Sequence, residues 1–287
     1  MWILFAFGSA IFSGLTTILA KCGIQKTDST IATAIRTIIV LIFSLIMVCL
    51  VNSQAMIFTL SIKTWIFLIL SGIATGASWL CYFKALQLGD VNKVVPIDKS
   101  SIVLTMILAL IIFDEYFSYL SGIGIILITL GTFLMIQKTA SSRASTNKAW
   151  LIYAILSAIF ASLTSILGKI GISDVEANLG TAIRTAIVLF MAWFIVFFTH
   201  KQKMLSKIMP KELLFICLSG VTTGAAWLCF YKALQIGPAS VIVPIDKLSI
   251  LVSIFFSYFV FKERLSLKAS IGLFLIVFGT FLMIQQH

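Results

Sequence analysis

Charge is the scarcest property of this 287-residue chain: only 11% of its residues are Asp, Glu, Lys or Arg, and just 10 are acids. A water-soluble surface needs about twice that share, so a soluble globular fold is excluded. Histidine occurs twice, at His200 and His287, and there is no His-Glu-x-x-His helix, which argues against a metal centre or metalloprotease. The five cysteines contain no C-x-x-C pair and lie in or beside apolar runs, so neither a disulfide framework nor a zinc site is expected. No Gly-x-x-x-x-Gly-Lys-Ser/Thr loop is present, which removes ATP hydrolysis as an energy source. No cofactor is expected, and paired catalytic acids are lacking, because Asp98 and Asp246 are expected at opposite faces. The net charge of +11 is spread over short loops, so nucleic acid is not an expected partner either.

What is abundant is apolar length. Hydrophobic residues make up 60% of the chain and mean hydropathy is +1.12. A hydrocarbon layer of roughly 30 Å takes about 20 helical residues. Runs of about that length occupy 2–20, 31–51, 65–86, 94–113, 119–137, 150–168, 179–199, 213–234, 241–261 and 265–285. They do not alternate polar and apolar residues as barrel strands do, so the expected fold class is all-α integral membrane with ten transmembrane helices. The first run lacks a basic leader and a small-residue cleavage site and is read as a retained span.

The chain is written twice. Trp2 matches Trp150 and the offset of 148 then holds without a gap, with about 60 of roughly 138 aligned positions identical. TAIRT recurs at Thr33 and Thr181, WLC at Trp79 and Trp227, VPIDK at Val95 and Val243, and GTFLMIQ at Gly131 and Gly279. The expected organisation is a first repeat at 1–138, a polar linker at 139–148 and a second repeat at 149–287. Five spans per copy is an odd number, so the second copy is expected to enter the membrane inverted, the pair enclosing a central cavity. Loop charge supports this: 51–64 carries one lysine, whereas its equivalent, 199–212, carries four. The basic face is expected to be cytoplasmic, which places both termini outside the cell membrane.

These residues resemble the drug/metabolite transporter superfamily, and within it the EamA family, along nearly the whole chain. The resemblance lies in the tandem five-span halves, Gly72-x-x-x-Gly76 and Gly220-x-x-x-Gly224, the Lys-Ala-Leu-Gln ends of the third spans, Glu115 and Glu263, and the closing Gly-Thr-Phe-Leu-Met. Each half is also similar to the short single-repeat members. The resemblance implies alternating access of a small metabolite, amino acid or drug. The basic loop sits in the second half rather than the first, so the family's usual orientation is not carried over. A flippase of a lipid-linked or amphipathic molecule is the alternative, and a non-transporting scaffold accounts less well for duplicated charge in lipid.

Intramembrane polar residues are the site candidates. In the first half they are Arg36, Trp79, Tyr82, Lys84, Asp98, Lys99 and Ser101; in the second, Arg184, Trp227, Tyr231, Lys232, Asp246, Lys247 and Ser249. Asp98 with Arg36 or Lys99, and Asp246 with Arg184 or Lys247, are candidate ion pairs. Serines three residues after each aspartate share its helix face and extend a polar track. These groups line a substrate site or form gates, while Lys21, Lys84, Lys169 and Lys232 are equally explained by snorkelling to the headgroups. Pro96 and Pro244 are expected in the first turn of their helices. Expected partners are a small-molecule substrate, the lipid bilayer, a proton or solute gradient, and a second copy of the chain in a homo-oligomer.

Overall fold

The computed structural model describes residues 1–24, 26–88, 94, 97–98, 100–115, 118–135, 149–261 and 266–285. The linker expected at 139–148, Lys99, Pro96 and Glu263 lie outside the described residues. Among those described, the regular elements are helical: α1 (Trp2–Gly23), α2 (Ser29–Leu50), α3 (Ile62–Leu88), α4 (Ser101–Ile112), α5 (Tyr119–Met135), α6 (Ala149–Gly171), α7 (Ala177–Phe198), α8 (Pro210–Ile236), α9 (Ala239–Lys247), α10 (Ser249–Phe261) and α11 (Leu267–Ile284). Short 3-10 turns precede α3 and α8. Helix starts use the expected chemistry. Asp28 accepts from Thr30 N, Glu176 from Asn178 N and Leu179 N, Ser266 from Ala269 N, and Pro210 opens α8, where its missing N–H costs nothing.

Eight segments are long and apolar enough to cross a membrane, one of them running through α9 into α10. The other two apolar runs give shorter helices, Ser101–Ile112 and Tyr119–Met135. The fourth run was expected to be helical from residue 94 to 113. Its described backbone is helical at Val94 and Ile97–Asp98, turns at Ser100, and resumes at Ser101.

The helices pack across the two halves more than within them. α1 lies against α8 and α10, α6 against α3 and α4, α2 against α7 and α8, and α5 against α11. Contacts recur at positions 148 apart: a Cβ added at Gly72 would meet Ile187 Cβ at 2.6 Å, and one at Gly220 would meet Ile39 Cβ at 2.6 Å. α5 and α11 run antiparallel, since Gly124 faces Gly279 and Gly131 faces Gly272. Lipid tails are as apolar as leucine, so close backbone approach and polar contacts hold such helices together. Bulky side chains accordingly face outward, among them Phe190, Phe198 and Phe274, while Ala, Gly, Ser and Thr fill the interfaces.

The α5–α11 contact has no room for a side chain, because a Cβ at Gly131 would lie 2.5 Å from the Gly272 carbonyl oxygen. Gly131→Val is expected to force these helices apart and destabilise the protein by about 1–3 kcal/mol. Thermal unfolding of the purified protein in detergent checks this, and an unchanged midpoint would contradict the packing.

Candidate functional site

The second VPIDK lies where a membrane crossing changes helix. Pro244 is inside α9 rather than in its first turn, which corrects the sequence expectation. It has no N–H to donate to the Ser240 carbonyl, so the helix loses a bond there. The chain tightens just beyond it, Leu248 N donating to Ile245 O at 2.9 Å and Leu251 N to Leu248 O at 2.8 Å, before α10 continues. Asp246 is placed at this joint by that geometry. Its Oδ1 accepts from Ser9 Oγ at 2.6 Å and, more distantly, from Ser13 Oγ at 3.4 Å, both on α1 of the other half. Lys247 Nζ stands 3.7 Å from Oδ2 and is largely exposed, a loose contact worth little.

The first half repeats the arrangement. Asp98 Oδ1 accepts from Ser157 Oγ at 2.7 Å, and Ser157 is the residue 148 positions after Ser9. Ser157 also stands 3.1 Å from the Ser78 carbonyl, but a hydroxyl has one proton, and the shorter, charge-assisted contact to Asp98 is the stronger claim on it. Ser78 Oγ donates back to the Ser157 carbonyl at 3.2 Å. Each aspartate is therefore held by the first helix of the opposite half. Tyr82 is within electrostatic range of Asp98, and Tyr231 of Asp246.

Arg184 is 2% exposed. Its Nε donates to Ser71 Oγ at 2.9 Å and its Nη2 to Thr75 Oγ1 at 2.7 Å, both on α3. The guanidinium also stacks on Trp227 at 4.9 Å and on Tyr231 at 4.8 Å from the ring centres. These faces offset part of the cost of burying a cation. Among the described residues Nη1 has no acceptor, and the salt bridges do not include Arg184. Of the two partners expected for Asp246, Lys247 makes the loose contact, while Arg184 is surrounded by hydroxyls and rings and the acid by serines.

Glu115, absent from the candidate site residues of the sequence, forms a tight polar junction. It follows α4 and reaches the N-terminus of α9, its Oε1 accepting from Ala239 N at 2.6 Å and its Oε2 from Ser240 N at 2.8 Å. Lys169 Nζ donates to the same carboxylate at 2.8 Å and to the Gly237 carbonyl at 2.7 Å, and lies over the Phe113 ring. The bonds to Lys169 rule out simple snorkelling for this lysine. The repeat held the clue: Lys21 and Glu263 are the equivalents of Lys169 and Glu115.

Among the other candidates, Trp79 packs against a cluster of Ala34, Ala192 and Val196, and Tyr82 against one of Ala85, Val94 and Ala154. Lys232 Nζ donates to Gln235 Oε1 at 3.1 Å, and Lys84 is exposed. Arg36 is half-buried and makes no hydrogen bond or ion pair among the described residues. The Ser101 and Ser249 carbonyls accept from Thr105 and Ser253, one turn on. Both serines start a new helix, so the track expected from regular spacing is interrupted at Ser100 and Leu248. Sequence reasoning missed Ser9, Ser157, Ser71 and Thr75. The signal was present, since each is a polar residue kept identical at its 148-residue equivalent.

The EamA-like transporter model matches twice, over residues 1–137 and 148–285. The chain belongs to the EamA-like transporter family. A Sinorhizobium protein named "Uncharacterized transporter in cobO 3'region" is 39% identical over 134 residues, covering 47% of this chain and 95% of that protein. One EamA-like half of this chain thus corresponds to nearly all of that relative. A solved structure described as "Crystal structure of protein" aligns with a TM-score of 0.81 at 16% identity, covering 99% of this chain and 96% of the other. That likeness concerns the fold. The family and the apolar helices make this EamA-like protein a multi-pass membrane protein and point to a transporter rather than an enzyme.

Burial pushes the Glu115 carboxyl up, but Lys169 and Ser240 outweigh it and hold it below the ordinary glutamate range. A depressed folded-state value stabilises the protein above the unfolded value and ceases to do so as pH falls through the folded one. Glu115→Gln is therefore expected to lower the neutral-pH unfolding midpoint and to flatten its decline in acid below about pH 4.5. Thermal scans of both proteins from pH 7 to pH 3 test this; parallel curves would contradict the junction.

Proposed function

We propose that this EamA-like protein is a secondary transporter that moves a small metabolite, amino acid or drug-like solute by alternating access. In this reading the ten apolar runs are ten crossings arranged as two inverted five-helix repeats, 1–138 and 149–287, joined by the linker 139–148. The observation that carries the reading is the matched pair of carboxylate contacts, Ser9 to Asp246 at 2.6 Å and Ser157 to Asp98 at 2.7 Å. Each joins the first helix of one half to the fourth crossing of the other. Each aspartate also lies beside a discontinuity, where a helix can bend without breaking a full ladder of hydrogen bonds.

The depth of the two contacts supports opposite mouths. Ser9 is about 10 Å along α1 and Ser157 about 12 Å along α6, taking 1.5 Å per residue. With the halves inverted, these distances are measured from opposite membrane faces. One acid then lies toward each mouth, and a tilt that loosens one contact tightens the other. Asp98, Asp246 and the surrounding Arg36, Trp79, Tyr82, Lys84, Lys99, Ser101, Arg184, Trp227, Tyr231, Lys232, Lys247 and Ser249 are the proposed binding and gating residues. A proton or solute gradient supplies the driving force, and the membrane is the cell membrane with both termini outside.

Reconstituted protein assayed for uptake of a metabolite panel tests the reading. Asp98→Asn and Asp246→Asn keep the shape of each side chain and an oxygen acceptor but remove its charge. Each is expected to lower the flux by about tenfold or more, the equivalent of about 1.4 kcal/mol in the rate-limiting step. Wild-type flux in both variants would contradict the assignment.

A further inference from the structure

The two arginines break a symmetry that their backbones keep. A Cβ at Gly72 would stand 3.2 Å from the Arg184 carbonyl oxygen, and one at Gly220 would stand 3.1 Å from that of Arg36. The helices that carry them are therefore in the same register, and the difference is confined to the side chains. Arg184 is buried on Ser71 and Thr75 between two rings. Arg36 faces the equivalent pair, Ser219 and Thr223, in sequence register but bonds to neither. Those hydroxyls donate to carbonyls, Ser219 to Ile216 O at 2.7 Å and Thr223 to Ser219 O at 2.6 Å, as Ser71 and Thr75 also do, so their acceptor lone pairs remain available to a guanidinium.

Neither guanidinium meets a protein carboxylate among the described residues. The two intramembrane aspartates are engaged by serines, Asp246 by Ser9 and Asp98 by Ser157. A guanidinium at membrane depth with no anion is costly, and its planar fork of five donors matches a carboxylate in bidentate geometry. Hydroxyl acceptors relieve part of the cost for Arg184, yet they leave its Nη1 without an acceptor among the described residues. Arg36 lacks even that relief. Trp79, packed on Ala34 two residues before Arg36, supplies apolar surface on the same stretch of α2.

We propose that Arg36 and Arg184 are one carboxylate-binding group in two states: parked on a serine and a threonine, as Arg184 is, or unparked to take the carboxylate of a small organic anion, as Arg36 is. This rests on the transporter reading and names its substrate class. In the opposite conformation Arg36 parks on Ser219 and Thr223, while Arg184 leaves Ser71 and Thr75. Parking removes the binding group from the closed half, and its release equips the open one.

The test is the thermal stabilisation of purified protein by acetate, benzoate, phenylacetate and succinate, each beside its uncharged amide. At least one carboxylate is expected to raise the wild-type midpoint while its amide does not. Arg36→Gln is expected to abolish that response, and Arg36→Lys to weaken it roughly tenfold through loss of the bidentate fork. Adding Ser71→Ala and Thr75→Val to Arg36→Gln removes the parking place of Arg184 and is expected to restore the response, which a purely structural arginine would not do. The proposal is overturned if no carboxylate stabilises the wild type, if amides act equally, if Arg36→Gln keeps the response, or if the triple variant fails to regain it. Asp98-dependent transport of uncharged solutes alongside any of those results would leave the transporter reading standing and remove this one.

Discussion

A charge carried into lipid must find its partner inside the protein, and in this chain the hydrogen-bond donors to both aspartates among the described residues come from the other half. Asp246 depends on Ser9 and Asp98 on Ser157, so neither half can satisfy its own fourth crossing. The same exchange governs packing, where α1 lies on α8 and α10, and α6 on α3 and α4. Glycine and serine interfaces follow from it. Only small residues let helices approach closely enough for a short serine side chain to reach across.

The exchange also explains why the polar groups are distributed as they are. Arg184 is stabilised by hydroxyls of α3 and rings of α8, three helices converging on one guanidinium. Glu115 ties the end of α4 to the start of α9 and receives Lys169 from α6. Such junctions are strong because their members are desolvated and charge-assisted. Contacts between the halves suit the alternating access proposed for this protein, in which one mouth closes as the other opens.

Much of this was legible in the sequence, for physical reasons. Apolar run length reports the bilayer, and the 148-residue offset reports the duplication, so the all-helical membrane character and the family were readable from residues such as Trp2 and Trp150. The discontinuities were not, because a turn at Ser100 or Leu248 depends on what Pro244 and its neighbours meet rather than on hydropathy. Ion pairing was legible only in part. Charge alone offered Asp246 either Arg184 or its neighbour Lys247, and Lys247 makes a loose 3.7 Å contact, whereas the closest partners are serines from a helix more than two hundred residues away. Serine and threonine carry weak individual signals, and their importance emerges only when two copies are compared position by position.

The central claim is that equivalent residues of the two halves serve opposite mouths. Lys84 and Lys232 stand 148 residues apart, each near the end of the third crossing of its repeat. Cysteine at either position, in a background with the five native cysteines replaced, can be labelled with a membrane-impermeant maleimide in intact cells and in inverted vesicles. The account predicts that Lys232→Cys is labelled in intact cells and Lys84→Cys only in inverted vesicles. Labelling of both from the same side would contradict the inversion, and with it the reading of two mouths.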